Sequence, residues 1–340
     1  MNDSNKIKYI LGIETTCDET GLAIAKKEPN KKPEIIHNLV YSQEKIHQRT
    51  KGVVPETAAR EQINKIFPLL NKLDNKFAIK DIDAIGLAYG PGLVGSLLVG
   101  INFAKSLSYA FKKPLIPVNH IVAHLYGSLI ETKKELKFPA LGLIVSGGHT
   151  SMVKLKNHRD IKLLGQTRDD AAGESFDKAA ILLGLNYPGG PEIERVAKKP
   201  PKDKRYNLPR PLLNNNSYDF SFSGLKTALW QIVKNNQLSS KQKSYLAYEF
   251  QEAVVEVLTK KLEKTALEEN IRSVILGGGV ISNSRLREEL KKKALPNLII
   301  PKKTYCTDNG AIIATRASYL DKESDQIDWR ELEVSPNLGI

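Results

Sequence analysis

Apolar and polar positions along the chain follow one plan that occurs twice. Residues 9–27, YILGIETTCDETGLAIAKK, alternate as a strand, a polar turn and a second strand. Residues 139–157, PALGLIVSGGHTSMVKLKN, repeat that order around a Ser/Gly/His turn. Farther along, 82–111 predicts a strand, a Gly-rich turn and a long helix, and 271–294 predicts the same series. Helical spacing at 55–75 and 244–269 fills the intervals. The segment 306–320 opens on a capping residue and reads as a helix, and 323–340 is a tail of mixed character. The fold class that follows is a duplicated α/β domain with a cleft between its halves. Ligands of such sheets bind at strand ends, where these Gly-rich turns lie. The second half carries an insertion, about 165–240, rich in Gly, Pro, Asn and basic residues. Long irregular segments in compact domains are usually functional or disordered, and this one is too motif-rich to be only a linker.

Length and composition narrow the picture. A chain of 340 residues, 41% hydrophobic and 26% charged, can build two domains and a sizeable core. The longest nearly apolar run, 93–104, is too short to span a bilayer, and the first residues show neither a secretory signal nor a transit peptide. Two cysteines, Cys17 and Cys306, give no disulfide framework. A reducing cytoplasm without membrane attachment is the expected home. Fifty-one Lys and Arg against thirty-eight Asp and Glu leave a net charge of +13. The excess gathers at 26–32, 198–205, 291–293 and 301–303. This balance fits an anionic partner, nucleic acid first, although lysine-rich solvated surface explains charge alone equally well.

Several stretches carry candidate chemistry. Gly90, Gly92 and Gly95 match the dinucleotide fingerprint, yet PLIPVN stands where its acidic ribose-binding residue belongs. A tight turn bringing helix and backbone together is the better reading. VSGGHT (145–150) offers turn N–H groups suited to a phosphate, with His149 as a further donor. LGGGVISN (276–283) lets a flat purine or ribose approach the backbone, and Asn283 can cap the next helix. His120 and His124, four apart, share a helix face. The zinc-protease pattern needs a glutamate after the first histidine, and Ile121 stands there. Such a pair is as often structural as ligating, and carboxylates are too plentiful for spacing to choose a third ligand. Asp308, at a predicted helix start, is attractive, and a His, His, Asp set suits Zn²⁺ or Fe²⁺. ETTCDET (14–20) groups Glu14, Asp18 and Glu19, either as a solvated turn or as carboxylates facing the cleft. DDAAGESFDKAA (169–180) places Asp177 where a helix begins, while YPGGPEIE (187–194) and FSFSGLKT (220–227) read as ligand-shaping loops without assigned roles.

Taken in order, LGIETTCDET, GVVPE, AYGPGLVGSLLVG, VNHIVAHLYG, LIVSGGHT, DDAAGESFDKAA, LNYPGGPEIE, DFSFSGLKTAL, GGGVISN and CTDNGAIIA resemble one family across nearly the whole chain. It is the tRNA threonylcarbamoyladenosine transferase family, TsaD in bacteria and the catalytic subunit of the KEOPS complex elsewhere. FSFSGLKT and the uninterrupted DDAAGESFDK resemble its bacterial or organellar branch. The resemblance implies an actin/Hsp70/sugar-kinase-like fold, with one lobe from 1–118 plus 315–340 and another from 119–314. It implies transfer of threonylcarbamoyl from threonylcarbamoyl-AMP to N6 of adenosine 37, in tRNAs reading codons that begin with A, releasing AMP. It implies one divalent ion per subunit, Fe²⁺ or Zn²⁺, on His120, His124 and Asp308. Val145, Ser146, Gly147, Gly148, His149, Asp177, Gly190, Glu194 and Asn283 correspond to substrate-binding positions. Asp18 and Glu19 correspond to the acidic pair at the reaction centre. The implied partners are the tRNA anticodon loop, a same-fold paralogue of the TsaB type and a small P-loop ATPase of the TsaE type. A metalloprotease, or an ATP-binding scaffold of the same fold, is the rival reading.

Overall fold

The computed structural model describes residues 6–50, 52–201, 206–234, 236–320 and 322–340. Its contacts fall into two units, Met1–Glu135 with Thr307–Ile340, and Leu136–Cys306.

In the first unit, β1 (Lys8–Glu14) and β2 (Glu19–Lys27) form the expected antiparallel hairpin, with Gly12 opposite Ala23. β3 (Glu34–Ser42) pairs antiparallel with β2. A short helix, α1 (Glu44–His47), and the long α2 (Pro55–Asp74) precede β4 (Ala84–Gly90), which lies parallel to β1. Helix α3 (Val94–Phe111) then leads to β5 (Leu115–Asn119) and α4 (His120–Tyr126). The sheet order is β3-β2-β1-β4-β5. The inner end of β1 is fully buried, which is why its sequence reads as an apolar run instead of an alternation.

The second unit begins with the hairpin β6 (Ala140–Val145) and β7 (Thr150–Leu155), extended by β8 (Ile161–Gln166). Helices α5 (Ala172–Leu183), α6 (Gly189–Val196), α7 (Ser223–Lys234) and α8 (Ser240–Glu268) follow. β9 (Ser273–Gly277) returns parallel to β6, and α9 (Ser284–Lys292) leads to the two-residue β10 (Leu298–Ile299). The order β10-β9-β6-β7-β8, read from its other edge, is that of the first sheet. The duplication seen in the sequence is therefore a duplication of hydrogen-bonding topology. Helix α8 starts on a capping box between Ser239 and Gln242 and runs through the core of this unit.

The chain finally re-enters the first unit as α10 (Gly310–Ser318), which packs on β1, β2 and α4. This contact is close. A Cβ on Gly12 would stand 2.2 Å from the Gly310 carbonyl oxygen, so only glycine lets α10 settle on β1. The tail then runs beside the same sheet, with Ile327 bridged to Leu115 and Ser335 N donating to Tyr89 O.

Four expectations change here. The lobe boundaries at 118/119 and 314/315 differ from the observed division at 135/136 and 306/307, because α4 and α10 pack on each other and on the first sheet. The 165–240 segment is less irregular than expected, since α5, α6 and α7 all lie within it. Asp177 sits within α5, five residues past its start, and does not open a helix. The apolar run near 93–104 belongs to an 18-residue helix, α3, which is long and apolar enough by length and composition to cross a membrane. In this fold α3 packs on α2 and β4, with Leu97 and Ala104 fully buried.

Candidate functional site

The first unit assembles the histidines. β5 ends at Asn119, whose side-chain oxygen accepts from Val122 N and caps α4, so His120 becomes the first helical residue. One turn later His124 lies on the same face, with the two rings 4.7 Å apart. Asp308 arrives from the other end of the chain. The helix cap of α10 is Asn309, which accepts from Ile312 N, leaving Asp308 just outside the helix. Its Oδ1 lies 3.2 Å from His124 Nε2 and 3.8 Å from His120 Nε2. One ligand atom from each of the three residues lies within 4.8 Å of the others. These are two imidazoles and one carboxylate, a donor set matched to a divalent transition metal. His124 Nδ1 is buried without a hydrogen-bond partner, so the polar contact of that ring, to Asp308, is on its Nε2 side.

Behind His120 stands a group whose role the sequence did not disclose. Glu14 closes β1 with no exposed surface. Its Oε2 lies 2.9 Å from His120 Nδ1, and its Oε1 accepts from Thr16 N at 2.7 Å and Thr16 Oγ1 at 2.6 Å. Burial pushes the His120 pKa down, but the Glu14 and Asp308 charges outweigh it and raise the group to about 9. Asp18 and Glu19, grouped with Glu14 by the sequence, stand apart from it as half-buried residues of the turn and the start of β2. Burial and the neighbouring Asp308 and Asp18 hold the Glu19 carboxyl well above the usual range.

The glycine fingerprint is a packing device. Gly92 N donates to Pro336 O and Leu93 N to Thr16 O, tying this turn to the tail and to the first hairpin.

The second unit presents the expected loop at the end of β6. Val145 is buried, Ser146 and His149 are half-buried, and Gly147 and Gly148 are exposed. The start of α5 braces it: Gly173 N donates to Ser146 O and Glu174 N to Gly147 O. The N–H groups of Gly147 and Gly148 have no bond within the chain among the described residues. Gly278, at φ +96°, backs onto Val145, a conformation and a closeness that exclude side chains.

Asp177, Gly190, Glu194 and Asn283 gather into one framework. Asp177 Oδ1 accepts from Gly189 N at 2.6 Å, beside Gly190 at the start of α6. Burial raises the Asp177 carboxyl pKa and Glu174 adds to it, against the Gly189 hydrogen bond. Glu194 Oε1 accepts from Ser284 N at 3.0 Å, next to Asn283. Asn283 caps α9 as expected, and its amide donates to Gln251 at 2.9 Å. FSFSGLKT and DDAAG, unassigned by sequence, meet at Asp169, which accepts from Ser221 and Ser223 hydroxyls and from Phe222 and Ser223 N–H groups. Burial works against ionisation there, and these bonds hold the carboxyl below its usual value. Paired acidic residues and hydroxyls spaced for a helix start were the only advance signals of that link.

The basic clusters are unequal. Glu28 pairs with Lys26 and Lys31, and Glu263 with Lys293. Lys303 bonds Ser284 Oγ. Residues 202–205 of the 198–205 cluster lie outside the described residues.

The chain is 46% identical over 337 residues to a tRNA N6-adenosine threonylcarbamoyltransferase of Thermosipho africanus, covering 97% of this chain and 99% of that one. It is 44% identical over 318 residues to one of Staphylococcus aureus, covering 92% and 91%. Among solved structures, full-length HypF in its phosphate- and nucleotide-bound form superposes with a TM-score of 0.63 at 15% identity, over 93% of this chain and 47% of HypF. HypF of T. kodakarensis gives 0.57 at 14%, over 92% and 47%. These likenesses concern the fold, of the actin/Hsp70/sugar-kinase type. The TsaD family model, tRNA N6-adenosine threonylcarbamoyltransferase, matches residues 34–315, and the chain belongs to that enzyme family.

Proposed function

We propose that the chain transfers threonylcarbamoyl from threonylcarbamoyl-AMP to N6 of adenosine 37 in the anticodon loop of tRNAs reading codons that begin with A, with His120, His124 and Asp308 holding one Fe²⁺ or Zn²⁺. The observation that carries this is the gathering of those three ligand atoms within 4.8 Å of one another, from residues 188 positions apart along the chain. When bound, the ion supplies Lewis-acid stabilisation to an oxygen of the donor.

The remaining work falls to the chain itself. The unpaired N–H groups of Gly147 and Gly148, with His149, receive the donor's phosphate, and the turn before Asn283 lies along its adenosine. Asp177 and Glu194 hold the backbone of Gly189 and Ser284, and so set the positions of Gly190 and Asn283. Glu19 takes the proton from the attacking adenine amine. Its raised pKa makes it a better base than an exposed carboxylate. Asp18 helps to raise it.

Lys303, beside the Asn283 turn, contributes to phosphate binding, and tRNA affinity falls with salt. A TsaB-type paralogue pairs with the first unit along α2 and α3. Supporting this is an apolar groove of about 420 Å³ there, lined by Ile63, Phe67, Leu98 and Phe103, with Ile63 and Phe67 each 58% exposed. A TsaE-type ATPase completes the set, in the cytoplasm.

The test is a transfer assay with unmodified tRNA, threonylcarbamoyl-AMP, the metal and both partner proteins. Modified adenosine appears with the unaltered chain and is lost in H120A. Absence of product from the complete mixture overturns the reading.

A further inference from the structure

We infer that Glu14 is a positioning residue for the metal centre, fixing which nitrogen of His120 is offered to the ion. The inference rests on the proposed reading of His120, His124 and Asp308 as ligands.

Glu14 has no exposed surface, and burying a carboxylate is costly unless its oxygens are satisfied. They are. Oε1 takes two bonds from Thr16, at 2.7 Å from its N and 2.6 Å from its Oγ1. Oε2 faces His120 Nδ1 at 2.9 Å. A carboxylate can only accept, so the imidazole proton must sit on Nδ1. In the neutral imidazole Nε2 is then the nitrogen that carries the lone pair, and it is the one facing Asp308 Oδ1 at 3.8 Å. This is the carboxylate–imidazole–metal relay in which an outer carboxylate sets ring orientation and raises ligand basicity. His124 lacks that support, because its Nδ1 is buried with no partner. The site is therefore asymmetric, with a carboxylate bracing Nδ1 of one imidazole and no partner at Nδ1 of the other.

Neutralising Glu14 has two opposed effects. It makes His120 easier to deprotonate, which helps an ion bind, and it removes a negative charge near that ion. The second dominates, since the ion carries two charges where the displaced proton carried one.

The experiment titrates metal-free protein with Zn²⁺ against a chromophoric chelator at pH 8, and records melting with and without Zn²⁺. In E14Q, Zn²⁺ affinity is expected to fall by about tenfold or more, and the rise in melting temperature on adding Zn²⁺ to shrink. A purely structural role would lower both melting temperatures together and leave that rise intact. T16V keeps the carboxylate but removes one bond that aims it, and a weaker loss of affinity is expected. T16V decides the matter if E14Q fails to fold. Zn²⁺ affinity unchanged in E14Q, or in T16V where that variant decides, overturns the inference. H124A separates the two readings. If the unaltered chain binds no Zn²⁺, or H124A binds it equally well, the ligand set itself is wrong. If H124A loses Zn²⁺ while E14Q keeps it, only the role of Glu14 falls.

Discussion

The two hairpin turns occupy equivalent places in equivalent sheets, and they have been put to opposite uses. The turn after β1 is packed: Glu14, Thr15 and Thr16 are buried, and side chains supply its chemistry. The turn after β6 is bare: Gly147 and Gly148 are exposed, and a Cβ on either would meet nothing within 4 Å. One turn holds a charge deep in the protein against a histidine, and the other offers peptide N–H groups to whatever arrives. A duplicated topology fixes where a site can form, while the residues of each turn decide what it does.

The sharpest way to break this comparison is to remove a ligand. H120A and H124A should each weaken Zn²⁺ binding by at least about 100-fold, measured by chelator competition, while donor binding to the second turn persists. Next in size is the effect of pH. His120 rises from 6.5 to about 9 in the ion-free protein, so at neutral pH an incoming ion must expel a proton. Zn²⁺ affinity should therefore climb about tenfold per pH unit between 7 and 9 and then level off. The sign for stability is the reverse. A raised pKa stabilises the ion-free fold fully below 6.5, and that contribution is lost as pH passes through 9. A flat affinity profile would mean that Glu14 and Asp308 do not hold a proton on His120.

Smaller effects test the backbone. G12A forces a methyl group onto the Gly310 carbonyl, and should cost about 1–3 kcal/mol in urea unfolding while shifting Asp308 and weakening Zn²⁺. G147A should change stability by less than about 0.5 kcal/mol, yet raise the KM for the donor in the transfer assay. Equal stability losses from both glycine substitutions would erase the distinction between the packed hairpin of the first sheet and the bare turn of the second.

Much of this was legible from the residues. Both hairpins and both strand-turn-helix units were visible because buried central strands and Gly-rich turns leave strong patterns. β3 and β8 were not, since edge strands are half-solvated and EIIHNLVYS and IKLLGQ do not alternate cleanly. The histidine pair was visible from its spacing. Asp308 was one acidic residue among many until α10 brought it back to α4, a contact that depends on Gly12 and Gly310. Glu14 was the hardest to read. In sequence it is the first member of an acidic turn, and only its burial and its bond to His120 separate it from Asp18 and Glu19.

Asp308 stands at the point where the chain comes home. Between His124 and Asp308 the polypeptide leaves the first unit, builds the whole of the second, and returns. An ion held by these residues would act as a clasp across that excursion, because it would need α4 and the start of α10 both seated. Loading would then report on completed folding, and chelation should loosen α10 before it disturbs the sheet beneath.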